Sequence, residues 1–157
     1  MIRAFRYTFF CCFLISSLLF GQSRFAYLSP GVQVGFTSSK TLFISTQISF
    51  GLGTFLEGKW DALPVGMGIT FGTRWYRSDI WERYRYMDAQ LVSGLAGIGI
   101  GRISNNSGFS SRRYKGYLGV FANLSYDMTF KDKDHRHNFG AILAAPLIPD
   151  PWCQRCN

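Results

Sequence analysis

Three groups of side chains in this sequence have the types and spacing that chemistry uses. His135 and His137 flank Arg136 in the run Asp132-Lys133-Asp134-His135-Arg136-His137. Two imidazoles two residues apart share one face of a strand, and with Asp132 or Asp134 they could hold a metal ion. The same composition also describes a solvated loop, and no metal site is assigned. Cys153 and Cys156 form a Cys-x-x-Cys at the C-terminal end. Zinc would need two further ligands, and the other cysteines, Cys11 and Cys12, lie in an apolar N-terminal run. A thioredoxin-like role needs a strand-to-helix setting that is missing. The reading is a small local disulfide between Cys153 and Cys156, formed in an oxidising compartment. Gly97-Ile98-Gly99-Ile100-Gly101 lacks the Lys-Ser/Thr ending of a phosphate loop and the spacing of a dinucleotide fingerprint. No catalytic residue, cofactor or nucleotide site is therefore assigned, and the expectation is a protein that is not an enzyme.

The elements that would position these residues begin after a leader. Residues 1–23 read as a secretory signal: Arg3 and Arg6 supply the positive start, and Tyr7 to Phe20 the apolar stretch. Gly21-Gln22-Ser23 then offers small residues for cleavage. The apolar stretch is shorter than the ~20 residues a spanning helix needs. The expected organisation is a leader over 1–23, one domain over 24–150 and a Cys-bearing tail over 151–157. The chain carries a formal charge of +8, yet only 17% of its residues are charged and 17% are aromatic. A usual soluble domain has about 25% charged residues. The basic residues fall between apolar runs, among them Lys40, Arg77, Arg83, Arg85, Arg112 and Arg113. In an exported protein such a surface meets anionic lipid headgroups or lipopolysaccharide phosphates, and nucleic acid is not an expected partner.

The strongest signal is period-two alternation. Leu42, Ile44, Ile48, Phe50 and Leu52 alternate with Ser45, Gln47, Ser49, Gly51 and Gly53. Leu63, Val65, Met67, Ile69, Phe71 and Trp75 alternate with Pro64, Gly66, Gly68, Gly72, Arg74 and Tyr76. Ala26 to Phe36 repeats the pattern, with Pro30 expected at an edge, a bulge or a strand start. Further strands are read over Leu91 to Gly101, with a bulge near Gly94, over Tyr117 to Ser125, and over Phe139 to Leu147. Turns are read at Thr37–Ser39, Glu57–Ala62, Arg77–Arg83, Ser104–Ser111 and Asp127–Arg136. None of these gaps fits a crossover helix, so neighbouring strands should pair antiparallel. The expected fold is all-β, an antiparallel meander closing into a small up-and-down barrel of 6–8 strands, six of them read directly.

Two solvents can explain such two-faced strands. In a soluble sheet the apolar face is the core. In a membrane barrel it meets lipid, and the other face lines a polar interior. The strands exceed the ~9–11 residues that spanning requires. Leu42, Ile44, Ile48, Phe50, Val65, Met67, Ile69 and Phe71 are the lipid-facing candidates. Trp60, Trp75, Trp81, Tyr84 and Tyr86 fall near strand ends, as interfacial aromatics do. The glycines on the opposite face would leave room in a narrow barrel for Arg74, Tyr76, Tyr117 and Phe121.

On this pattern, residues 24–148 resemble small bacterial outer-membrane β-barrels as an architectural class. The resemblance implies an outer-membrane location, contact with outer-membrane lipid or lipopolysaccharide, and a structural or interaction role. The sequence departs from the class in strand count, six against at least eight, and in its Cys-bearing ending. The alternatives are a periplasmic or secreted lipocalin-like barrel around a hydrophobic ligand, and a lipid-modifying barrel enzyme. Lipid A deacylases and palmitoyl transferases of this size imply a His with a nearby Ser and a carboxylate, and neither His135 nor His137 has an adjacent Ser.

Overall fold

The computed structural model describes residues 24–56, 63–93, 95–119, 122–130, 135–145 and 147. Eight strands run in order: β1 Arg24–Thr37, β2 Leu42–Leu56, β3 Leu63–Arg77, β4 Trp81–Ser93, β5 Ala96–Asn105, β6 Ser110–Gly119, β7 Ala122–Thr129 and β8 His137–Ala144. Each pairs antiparallel with the next, and β8 pairs with β1, so the meander closes into a barrel. The closing seam runs from Thr37–Asn138 to Gly31–Ala144 and is prolonged by the Leu28–Leu147 bridge. Pro30 lies inside β1 where the regular β8 pairing ends, and its carbonyl accepts a hydrogen bond from Ala145 N–H. The missing donor of proline is thus placed where the ladder gives out.

Register fixes the shape. Paired residues lead from Leu28 through Phe50, Ile69, Ala89, Ile100, Tyr114 and Met128 to His137. His137 in turn accepts through its carbonyl from Ser38 N–H, just past the end of β1 and ten residues beyond Leu28. A stagger of ten over eight strands tilts them by roughly 40° to the barrel axis, given the usual strand rise and spacing.

Two differences from the sequence reading concern strand count. The segment Tyr117 to Ser125, expected as one strand, is the end of β6 and the start of β7. The expected bulge near Gly94 is instead the junction between β4 and β5, with Ser93 paired to Ala96. A turn reverses the chain and also shifts the phase of alternation, which mimics a bulge when read along one dimension. Arg83 and Asp127, expected in turns, lie within strands, as do Arg85, Arg112 and Arg113, expected between apolar runs.

Candidate functional site

The wall of the barrel carries a largely apolar outer face and a largely polar inner one. On β2 and β3 the residues Ile48, Phe50, Leu52, Ile69 and Phe71 are exposed on the outside, and Leu42, Ile44, Val65 and Met67 are half-buried among them. The outer surface continues with Val32, Val34 and Phe36 on β1, Ile98 and Ile100 on β5, and Phe139 and Leu143 on β8. Every lipid-facing candidate of the sequence reading thus points outward.

Inside, the buried side chains are mainly polar. Arg74, Arg113 and Asp127 are fully inaccessible, and Asp88 and Lys115 nearly so. Arg74 donates to Asp127 at 2.6 Å, Arg113 donates to the other Asp127 oxygen at 2.9 Å, and Arg113 also pairs with Asp88 at 2.5 Å. One carboxylate therefore bridges two guanidiniums from β3 and β6. Four strands, β3, β4, β6 and β7, are tied across the lumen by four side chains. Gln33 from β1 accepts from Arg74 at 2.9 Å and donates to Ser125 at 2.7 Å. Lys115 and Tyr86 both donate to Gln47. The guanidiniums also stack on rings, Arg74 at 4.2 Å from the Phe43 centroid and Arg113 at 4.0 Å from Tyr86. A buried charge is strongly destabilised unless paired, and each guanidinium and carboxylate here is ion-paired, while Arg74 Nε, Arg113 Nε and Asp88 Oδ1 have no hydrogen-bond partner among the described residues.

Above the lattice, toward the turns at 38–41, 78–80 and 106–109, lies an aromatic layer. His135 stacks on Tyr76 with centroids 4.0 Å apart, and Tyr84 meets Tyr76 edge-on at 5.2 Å. Phe43 and Ile103 complete the layer, with Phe109 packed against it. Below it, Ser49, Thr70, Gln90 and Tyr27 form a hydrogen-bonded chain. The inward glycines are sockets for these rings. A methyl group at Gly72 would overlap the Tyr86 ring, one at Gly97 the Tyr117 ring, and one at Gly35 the Phe43 ring. Arg74, Tyr76 and Tyr117 occupy the interior, and Phe121 lies outside the described residues.

Several sequence expectations need correction here. Tyr84 and Tyr86, read as interfacial aromatics, point into the barrel and are 6% and 4% exposed. Their hydroxyls find interior partners, which lets a tyrosine sit on the polar side of the wall. Trp75 and Trp81 stay on the outer surface, half-buried and exposed respectively, and Trp60 lies outside the described residues. The two imidazoles diverge. His135 turns into the aromatic layer, whereas His137 stacks outside on Tyr126, with its Nδ1 2.8 Å from the Tyr126 hydroxyl. They share no site, and no group of three potential metal ligands occurs among the described residues. Asp132, Asp134, Cys153 and Cys156 lie outside those residues, as do the leader and tail.

What the sequence reading missed is the ionic lattice. Its trace was a charge flanked by apolar neighbours in a strand: Asp88 between Met87 and Ala89, and Asp127 between Tyr126 and Met128. No protein-family model, curated protein or solved structure matches this chain.

Proposed function

We propose that this chain is an outer-membrane β-barrel protein of structural or interaction type, exported behind a cleaved leader, with its outer wall in lipid and its loops available to partners. The carrying observation is the inversion of the wall: exposed Ile48, Phe50, Ile69 and Phe71 outside, and paired Arg74, Asp127, Arg113 and Asp88 inside. In water this arrangement would leave apolar surface solvated and bury charge at a desolvation cost, whereas in lipid the outer surface is matched to its solvent. Closure supports the same reading, since a bilayer leaves no partner for an unpaired strand edge. A hydrophobic-ligand carrier needs an apolar cavity, and the lining by Gln33, Ser49, Arg74, Asp88 and Asp127 argues for the membrane reading over that alternative.

The test is cell fractionation combined with gel migration. The expected result is recovery with outer membranes, solubilisation only in detergent, and different migration before and after boiling. Recovery as a soluble periplasmic protein would end this reading. Mass spectrometry of the mature N-terminus tests the leader, and a chain that still begins at Met1 would refute its cleavage.

A further inference from the structure

One outward stretch of the wall is not apolar. Arg83 and Arg85 on β4, Arg102 on β5 and Arg112 on β6 all point out and are exposed. Arg102 and Arg112 are direct cross-strand partners. Like charges placed opposite each other repel, and among the described residues neither arginine is in an ion pair, the three that occur all lying inside the barrel. Around the pair, Ser110, Tyr114 and Phe130 complete a cavity of about 730 Å³. Arg102 Nε donates to Ser110 Oγ at 2.5 Å, which holds one guanidinium in place.

This basic cavity lies beside an apolar one. Tyr114 borders both, and the second is a groove of about 990 Å³ along the outer wall. Ala89 and Gly116 are the smallest outward residues along it, and a methyl group at Gly116 would meet nothing within 4 Å. Ile69, Ile100 and Met128 lie in the same ring of paired residues as Ala89. Arg102 and Arg112 pair one pleat nearer the 106–109 turn. Strand tilt lifts this side of each ring, so the arginines sit at the rim of the apolar band rather than at its middle.

We propose that this surface binds a phosphorylated membrane lipid, its head-group phosphate between Arg102 and Arg112 and an acyl chain along the groove over Ala89 and Gly116. The inference rests on the membrane reading above and adds a site to it. Charge complementarity selects the head group, because guanidinium pairs match phosphate oxygens in a bidentate fashion. The adjacent apolar groove selects a lipid over a free anion. Arg83 and Arg85 extend the positive field along the same rim.

The test uses the purified chain in nanodiscs of equal parts phosphatidylcholine and phosphatidic acid, with retained lipid read by native mass spectrometry. The expected result is preferential retention of phosphatidic acid. The double variant Arg102→Gln, Arg112→Gln should lower that preference roughly ten- to thirty-fold, from about 1 kcal/mol per basic residue at a membrane surface. Gly116→Leu should also lower retention while leaving heat-modifiable migration intact, because the new side chain enters open space. Equal retention of both lipids, or a preference untouched by both variants, overturns the site. Loss of the preference on adding inorganic phosphate, with Gly116→Leu silent, would mark an anion site that does not use the groove, and overturns the lipid assignment. A chain that fails to insert into nanodiscs at all overturns the membrane reading and the site together.

Discussion

At the residue scale, the decisive side chain is Asp127, which bridges the guanidiniums of Arg74 and Arg113. Removing one partner of a buried pair leaves an uncompensated charge and costs about 3–5 kcal/mol. Asp127→Ala is expected to fall at the upper end of that range, since it strands two cations. Asp88→Ala, which frees one contact of Arg113 while Asp127 still holds it, should cost less. Urea unfolding of the two variants in the same detergent measures the order. Equal midpoints would show that Asp127 does not bridge. Asp127 was expected in a turn, because Asp near Lys and His in a polar run reads as a loop. Only the opposing cations of β3 and β6, 53 and 14 residues away in sequence, make a strand interior tolerable for it.

At the element scale, β2 and β3 were legible and β4 and β6 were not. In β2 and β3 the outward residues are mostly large and apolar and the inward ones, Phe43 and Tyr76 apart, small or polar, so hydropathy reports orientation directly. In β4 the outward residues include Arg83 and Arg85 and the inward ones Tyr84 and Tyr86. Over Arg83 to Tyr86 the rings face the lumen and the charges face out, whereas at Met87 and Asp88 the order reverses, so polarity does not track the face along this strand. In β6 both faces carry arginine, Arg113 inside and Arg112 outside. The glycine sockets belong to this scale as well. Gly97→Val should drive a side chain into the Tyr117 ring, and overpacking of this kind costs typically 1–3 kcal/mol. The double variant Gly97→Val, Tyr117→Ala should recover part of that loss, and a thermal-denaturation cycle reads the coupling. Additive losses would mean that the ring does not occupy the socket.

At the scale of the whole molecule, the outer surface has one solvent, and a charge placed on it reports which. Ile69, 41% exposed, sits midway along the apolar wall. Ile69→Arg should cost about 2–4 kcal/mol in a bilayer and within about 0.5 kcal/mol in water, where surface changes are nearly silent. Refolding equilibria in lipid vesicles distinguish the two. The aromatic layer and the ionic lattice both lie across the lumen, so the wild-type protein is expected to show no steady ionic current in planar bilayers. A stable ohmic conductance would show that the lattice leaves a water path.

By itself the sequence determined the all-β class, the antiparallel meander and the identity of the apolar face, because alternation along a strand is a local property fixed by the pleat. Only the tertiary structure decided the number of strands, the closing seam between β1 and β8, and the direction in which Tyr84, Tyr86, Arg113 and Asp127 point. Those depend on pairings between residues far apart in the chain. A polar or aromatic side chain shows its orientation only once its partner across the barrel is in place.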